Sequence, residues 1–219
     1  MANVKWSFSG LKQYTNCPRQ YYEVKVQRNF QTRETEQIKY GKEVHKALED
    51  YARDGTPLAK NYERFKPMVD ALLTANGDRH VEYEMALDIN KNPCGFNSPD
   101  YWVRGIADLL IVSDDSAYIV DYKTGNARYP DPKQLKLMAL MTFAHFPKVR
   151  SAKGGLLFVM HNAFITDTYK RDEIEELWSA FQGELFRLNN SYEKDIWPAN
   201  PTPLCGWCPV STCEFQKER

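Results

Sequence analysis

The chain has 219 residues, 42% hydrophobic and 26% charged, with 29 basic and 29 acidic side chains that give no net charge. This length provides one domain with a substantial core, in the composition range of ordinary globular proteins. The sequence predicts no membrane-spanning helix, because no run approaches the roughly 20 apolar residues that cross a bilayer. The N-terminus also lacks the apolar core of a signal peptide. We therefore expect a single cytoplasmic domain with no membrane partner.

The basic side chains are distributed unevenly along the chain. Residues 1–33 contain six bases and one acid, and residues 123–153 contain seven bases and one acid. Two such segments could line a groove that binds a phosphate backbone, although ordinary surface lysines explain the same pattern. Charge alone leaves both interpretations open.

Hydrophobic periodicity, capping residues and turn signals predict helices and strands that alternate along the chain. The predicted helices are Ser9–Tyr14 (capped by Ser9), Glu34–Arg53, Tyr62–Leu73, Pro132–Phe146 and Asp172–Leu188. The predicted strands are Val81–Ile89, Tyr101–Val112, Ala117–Tyr122, Gly155–Val159 and Phe164–Tyr169, with the second and third forming a hairpin. Strands bracketed by helices predict an α/β fold with a mixed central sheet flanked by helices.

Three polar residues interrupt otherwise apolar strands. Asp121 and Lys123 are two residues apart at a strand end, so their side chains leave the same face. Asp108 lies within an apolar run on the preceding strand, where an unpaired carboxylate is costly to bury. A shared Mg²⁺ or Mn²⁺ removes that cost, since these ions prefer hard oxygen ligands. A buried Asp–Lys ion pair is the competing interpretation.

Glu82 and Glu84 share one face of the first predicted strand. We interpret that face as solvated, with Glu82 as the better candidate to add a carboxylate to the site.

The cysteines favour a metal or cluster over disulfides, because cytosolic thiols are kept reduced. Cys205, Cys208 and Cys213 form a C-x2-C-x4-C run that can surround one centre, which then needs a fourth ligand. Cys94, in a Pro-Gly turn, is interpreted as a non-ligand. The spacing admits either a structural Zn²⁺ or an iron–sulfur cluster.

The order of motifs extends over nearly the whole chain. It runs Gly-x-x-x-His ending at His45, Gly-x-x-Asp ending at Asp108, Asp-x-Lys at Asp121 and Lys123, then Gln-Leu beginning at Gln134. This order resembles the RecB-like branch of the PD-(D/E)XK nucleases. The resemblance implies a restriction-endonuclease-like core.

The resemblance also implies a role for each matching residue. His45, Asp108, Asp121 and the main-chain carbonyl of Tyr122 would hold the divalent metal. Lys123 would serve the attacking water, and the helix of Gln134 would support the site and contact substrate. Two positions depart from the family pattern: Asp121 replaces a common Glu, and Met138 stands where a substrate-contacting Tyr is common.

The cysteines resemble those of the iron–sulfur subset, which includes AddB and the CRISPR-associated adaptation nucleases. That likeness assigns Cys17 as the fourth ligand of a [4Fe–4S] cluster with Cys205, Cys208 and Cys213, joining the two chain ends. It implies one nuclease domain over 1–219, with 1–33 and 197–219 forming the cluster-binding part and 34–196 the catalytic core. Loss of the cluster should loosen the fold.

The function implied is hydrolysis of DNA phosphodiester bonds with Mg²⁺ or Mn²⁺, as an exonuclease on single-stranded or free ends. The setting implied is recombination, repair, or phage or CRISPR DNA processing, with proteins of those systems as partners and a monomer as the simplest state. The alternative is a cluster-stabilised subunit that binds DNA ends without independent nuclease activity.

Overall fold

The computed structural model describes residues 4–32, 34–126 and 130–216. The chain forms two compact units, which we call the end unit (Met1–Thr35 with Phe181–Arg219) and the sheet unit (Glu36–Ala180). The sequence-based division into a cluster-binding part and a catalytic core remains a prediction. None of the described helices is long and apolar enough to span a membrane.

The described residues form six α-helices and six strands, with one short π turn and three short 3₁₀ turns besides. The helices are α1 (Phe8–Asn16), α2 (Pro18–Tyr21), α3 (Glu36–Asp54), α4 (Lys66–Leu73), α5 (Lys133–His145) and α6 (Ile174–Lys194). The strands are β1 (Asp78–Leu87), β2 (Pro93–Cys94), β3 (Val103–Val112), β4 (Ser116–Lys123), β5 (Ser151–Phe158) and β6 (Ala163–Lys170).

The strands of the sheet unit form one mixed sheet in the order β2-β1-β3-β4-β5-β6. The β4–β5 pair is parallel and every other pair is antiparallel. The predicted α/β class and the β3–β4 hairpin are therefore confirmed. Sequence patterns missed β2, because a two-residue strand beside Pro93 and Gly95 reads as a turn.

Helices cover the sheet on both faces. Val120 and Tyr122 of β4 are buried in a core that includes Val44 and Leu48 of α3. Asp121, between them, contacts Gln134 of α5. Because successive side chains of a strand point to opposite faces, α3 and α5 lie on opposite sides of β4.

Glycines let α5 approach the sheet closely. A Cβ added at Gly154 would lie 3.0 Å from Leu135 Cβ, and one added at Gly105 would lie 2.8 Å from the Met138 methyl carbon. A larger residue at Gly154 would press on α5 at Leu135 Cβ, whereas one at Gly105 would displace the flexible end of the Met138 side chain.

The end unit is built from both chain termini. Trp197 packs against aromatic rings from both ends of the chain. Its ring centroid lies 4.8 Å from that of Tyr22, in the π turn Tyr22–Val26 that follows α2, and 4.9 Å from that of Tyr192 of α6. Tyr14, which is buried, exchanges a 2.8 Å hydrogen bond with Ser191. The C-terminal stretch after α6 has little regular structure, and Val210 is its one buried residue within 195–216.

Several predicted boundaries were wrong by a few residues. Helix α1 begins earlier than predicted, because the Ser7 hydroxyl, and not Ser9, caps it by accepting from Gly10 N. A 3₁₀ turn precedes α4, and another precedes α6, which continues to Lys194. Strand β1 begins at Asp78 and ends at Leu87, two residues before the predicted end.

Candidate active site

Asp108 lies where strands β3 and β4 separate. Their ladder runs from Val112–Ala117 to Leu109–Val120, and the next opposed pair would be Asp108 and Asp121. There the Asp108 carboxylate takes the place of a backbone acceptor, and its Oδ2 accepts a 2.6 Å hydrogen bond from Tyr122 N. This contact fixes the carboxylate between the two strands.

Helix α3 brings His45 to the same oxygen. His45 Nδ1 lies 3.5 Å from Asp108 Oδ2. The helix can come this close because Gly41 faces the end of β4, where a Cβ would lie 2.9 Å from Thr124 Oγ1. The spacing from Gly41 to His45 is one helical turn, so both residues lie on the face of α3 that meets β4.

Asp121, Lys123 and Gln134 form a second group beside the first. Lys123 Nζ lies 2.5 Å from Asp121 Oδ2 and donates a 2.9 Å hydrogen bond to Gln134 Oε1. The Gln134 amide group in turn donates to Asp121 Oδ1. The ion pair considered from the sequence is thus present, and a glutamine from the first turn of α5 bridges its two members.

Asp121 lies in a buried position beside another carboxylate, that of Asp108. Burial and the charge of Asp108 raise the pKa of Asp121 to about 6, against the opposing effects of Lys123 and His45. Asp121 Oδ2 accepts no well-formed hydrogen bond from any described residue, although Lys123 is adjacent. A nearby cation would relieve this repulsion.

The pKa of His45 reflects opposing influences. Burial lowers it, but the hydrogen bond to Asp108 and the charges of Asp108 and Asp121 outweigh burial, so the net pKa is raised. The site therefore attracts positive charge on both sides of Asp108.

The donor set fits a hard divalent cation in its chemistry. Two facing carboxylates, one with an oxygen short of hydrogen bonds, supply the oxygen ligands that Mg²⁺ and Mn²⁺ prefer. Across the described ranges, however, no three His, Cys, Asp or Glu side chains are already spaced to hold a single ion. Tyr122 lies between Asp121 and Lys123 with its ring buried, and the role of its carbonyl remains a prediction.

Sequence reasoning missed two packing roles at this site. Gly41 is part of the Gly-x-x-x-His motif, but its close approach to Thr124 is visible only in the tertiary structure. Met138 is 4% exposed and packs over Gly105, so this position lies in the core beneath α5.

The four predicted cysteine ligands lie around one cavity of the end unit, although no three described His, Cys, Asp or Glu side chains there are spaced to hold a single ion. Cys17, Cys205, Cys208 and Cys213 line one cavity with Gln20 and Asn200 among its other walls. Cys94 lies in the sheet unit, on β2. The grouping follows from the pairing of both termini in one unit.

Hydrogen-bond donors surround these sulfur atoms. Asn200 N donates to Cys17 Sγ at 3.4 Å, and Gln20 Nε2 donates to Cys208 Sγ at 3.6 Å. Burial raises the pKa of the Cys208 thiol, and the charges of Cys17 and Cys213 add to the shift. The Gln20 donor opposes this shift, because hydrogen bonds to sulfur favour the thiolate, but burial outweighs it.

The two basic segments fall in different units, and two of their members, Arg33 and Arg128, lie outside the described residues. A shared phosphate-binding groove therefore remains a prediction.

A mixed sheet with a carboxylate–lysine pair at a strand end, covered by helices on both faces, is typical of a restriction-endonuclease-like nuclease core. The family model of the PD-(D/E)XK nuclease superfamily matches residues 5–79 and 58–213, and the chain belongs to this superfamily.

Solved structures share the fold at low sequence identity. A putative exonuclease of Eubacterium rectale superposes with a TM-score of 0.54 at 10% identity, covering 97% of this chain and 86% of that one. The protein SSO0001 superposes with a TM-score of 0.50 at 13% identity, covering 99% of this chain and 89% of that one. No curated protein sequence matches the chain.

Proposed function

We propose that this protein is a divalent-cation-dependent nuclease that hydrolyses DNA phosphodiester bonds at the site formed by His45, Asp108, Asp121 and Lys123. The observation that carries the proposal is the pair of polar groups built on Asp108 and Asp121, which are opposed at the point where β3 and β4 separate. The first group joins His45 of α3 to Asp108, and the second joins Gln134 of α5 to both Asp121 and Lys123. The superfamily membership of the chain supports the same reaction class.

His45, Asp108, Asp121 and the Tyr122 carbonyl are the groups that would hold Mg²⁺ or Mn²⁺. When bound, such an ion stabilises charge on the phosphate and makes water a better nucleophile. Lys123 orients the attacking water and balances the charge of the phosphate, since its ammonium group projects beside Asp121. Gln134 is a positioning residue for both, because it accepts from Lys123 and donates to Asp121.

The substrate in this proposal is DNA with a free single-stranded end, and the mode is exonucleolytic. The name of the E. rectale protein of like fold and the two basic segments support this choice. Recombination, repair, or phage or CRISPR DNA processing is the proposed setting, with proteins of those systems as partners.

The end unit, in this proposal, holds a [4Fe–4S] cluster on Cys17, Cys205, Cys208 and Cys213. The presence of all four cysteines around one cavity and the N–H donors to the sulfur atoms of Cys17 and Cys205 support it. The cluster would tie the N-terminal helices to the C-terminal stretch, which has little buried surface of its own. Its role is structural.

Cleavage of end-labelled linear and circular single-stranded DNA tests the nuclease proposal. With Mg²⁺ or Mn²⁺, the wild-type protein should degrade the linear substrate and leave the circle intact. Lys123→Ala should lower the rate by about 10²-fold or more, on the scale of losing one charge-stabilising group. Lys60→Ala, at an exposed lysine of the same unit that lies outside both basic segments, is the control and should retain full activity. DNA binding without cleavage in the wild-type protein would favour the end-binding alternative.

Iron and sulfide analysis of anaerobically purified protein tests the cluster. We expect about four irons per chain and absorption near roughly 400 nm. Cys205→Ser should lose both, whereas Cys94→Ser should keep them. If the wild-type protein is instead colourless and contains stoichiometric zinc, the four cysteines bind a structural Zn²⁺ and the cluster proposal is wrong.

A further inference from the structure

Arg64 is an exposed base that is held in a fixed position. It lies in the 3₁₀ turn Glu63–Phe65, outside both basic segments of the chain. Its Nη2 donates to the Tyr40 hydroxyl at 3.3 Å and to the Met160 sulfur at 3.4 Å. Its guanidinium carbon also lies 4.8 Å from the centroid of the Phe65 ring. These contacts fix the guanidinium group without covering it.

No acid neutralises this guanidinium group. Among the residues that the structure describes, its hydrogen bonds go only to Tyr40 and Met160, and its Nε and Nη1 donate to none. Glu43 lies one turn from Tyr40 on α3, but its carboxylate accepts from the Tyr62 hydroxyl at 3.3 Å. Arg64 therefore carries an uncompensated charge and has N–H donors left for an anionic ligand.

Met160 places this charge beside the end of β4. It lies in the turn between β5 and β6 and is 40% exposed. The preceding residue, Val159, donates a 3.0 Å hydrogen bond from its backbone N to the carbonyl of Lys123. The turn that holds Arg64 is thus joined to the backbone of the proposed catalytic lysine.

Tyr40 reaches the same place from α3, where it packs against the apolar core of the sheet unit. It directly precedes Gly41, where a Cβ would lie 2.9 Å from Thr124 Oγ1. Thr124 follows Lys123 in the chain. Both partners of the Arg64 guanidinium group therefore lie one residue from a contact with residues 123–124.

We propose that Arg64 binds a backbone phosphate of the substrate DNA strand next to the scissile bond, with Tyr40 and Met160 holding its guanidinium group in place. The proposal rests on the nuclease function above and deepens it by assigning a substrate subsite. A guanidinium fork matches two phosphate oxygens. Tyr40 and Met160 are neutral acceptors, so they orient this fork without cancelling its charge.

DNA binding measured without cleavage tests this role. Fluorescence anisotropy of a labelled single-stranded oligonucleotide without terminal phosphates, in buffer without Mg²⁺ or Mn²⁺, gives the dissociation constant of the full-length protein at several salt concentrations. Arg64→Gln keeps an aliphatic stem over Phe65 but removes the charge. We expect about tenfold weaker binding. The slope of log affinity against log salt should fall by about 0.7, as for one lost contact with a single-strand phosphate.

Lys60→Gln is the matched control. Lys60 is an exposed base four residues before Arg64, and it makes no hydrogen bond or ion pair with any residue that the structure describes. Its substitution removes the same charge from the same segment and should leave the affinity and the salt slope as in wild type. Arg64→Lys should keep the slope but lose part of the affinity, because an ammonium group cannot form the two-oxygen contact.

Tyr40→Phe separates orientation of the guanidinium group from its charge. The variant keeps the ring in the core and removes the hydroxyl that accepts from Arg64. Binding should weaken by about threefold, on the scale of one neutral hydrogen bond, with an unchanged salt slope. The thermal unfolding midpoint of each variant shows that it is folded.

Wild-type affinity and salt slope in folded Arg64→Gln would overturn the inference and leave Arg64 as a structural link between α3 and the β5–β6 turn. Equal weakening in Lys60→Gln would also overturn it, since the charge of the segment, and not the fixed guanidinium group, would then bind DNA. If the wild-type protein binds no single-stranded DNA, the inference fails. The cleavage assay with Lys123→Ala decides separately whether the nuclease proposal holds.

Discussion

The sheet unit and the end unit differ in how each is held together. In the sheet unit, apolar side chains from α3, α4 and four strands form a continuous core, and the polar site residues are fixed within it by hydrogen bonds to one another. In the end unit, aromatic rings surround Trp197, but the C-terminal stretch has little buried surface. A small core of this kind commonly needs a covalent or metal link.

The comparison teaches that the two proposed inorganic groups should have different effects. A divalent cation would serve chemistry in a unit that is already well packed. A cluster would supply cohesion in a unit that lacks it. Metal removal should therefore affect activity in one case and folding in the other.

Loss of the cluster has the largest expected effect. Cys205→Ser should destabilise the end unit by about 3 kcal/mol, as for a lost link that closes a long loop. For a chain of this size, that corresponds to a melting temperature lower by roughly 10 °C. Hydrogen exchange should accelerate within 4–32 and 181–216 and much less within 36–180. Removal of Mg²⁺ by a chelator that leaves the cluster intact should not change hydrogen exchange in either unit. Equal acceleration of exchange in both units of Cys205→Ser would contradict the proposal that the cluster stabilises the end unit alone.

Arg171 provides the next test, in the sheet unit. Its guanidinium group donates to the carbonyl oxygens of Val149, Phe143 and Phe146 at 2.6, 2.7 and 2.8 Å, closing the C-terminal end of α5. Arg171→Ala removes the guanidinium donor from all three carbonyls, of which Phe146 O keeps the backbone donor Val149 N, and should lower the free energy of unfolding by about 2–3 kcal/mol. Arg171→Lys should recover only part of the loss, because one ammonium cannot reproduce the planar fork. Chemical denaturation measures both, and equal stability of all three proteins would show that the contacts are unimportant.

Close packing beneath α5 has a smaller effect. Gly154→Ala places a methyl group 3.0 Å from Leu135 Cβ, next to Gln134, and should cost about 1–2 kcal/mol through overpacking. Gly125→Ala is the control, since a Cβ there meets nothing within 4 Å. Denaturant midpoints compare the two, and a stable Gly154→Ala protein would mean that the helix can shift freely.

Gly41→Ala is expected to have the smallest effect on stability. The gain in helix propensity, about 1 kcal/mol, offsets the close contact with Thr124. DNA cleavage should still fall several-fold, because α3 and His45 move away from Asp108. Gly41→Ala combined with Thr124→Ala removes the hydroxyl oxygen and should restore the rate. If the double variant cleaves DNA as slowly as Gly41→Ala alone, the close approach of Gly41 to Thr124 does not position His45.

Much of the fold could be predicted from sequence because its strands are nearly continuous apolar runs. The Leu109–Val112 and Ala117–Tyr122 stretches are bounded by clear turn residues, which also indicated their hairpin. The Asp-x-Lys pair was visible because polar residues interrupt a strand that is otherwise buried. These are local signals, readable without tertiary structure.

Other features depend on contacts between distant residues. Gln134 bridges Asp121 and Lys123 only because α5 is seated on two glycines, and no local pattern specifies that approach. Glu82, within β1, has a φ of +52°, and His80 and Tyr83 on either side of it both contact the Phe146 ring. Strand β1 therefore does not keep the regular alternation from which strand faces are predicted. Ser9 and Ser7 are both plausible caps by composition, and only the backbone geometry selects Ser7.

The hydrogen bond between Tyr122 N and Asp108 gives the site its own spectroscopic reporter. An amide proton held by a charged carboxylate has a magnetic environment unlike that of an ordinary ladder proton. Its resonance should move when positive charge reaches Asp108, before any DNA is present. The chain has 13 tyrosines, so selective ¹⁵N-tyrosine labelling yields a spectrum simple enough to follow this single nucleus.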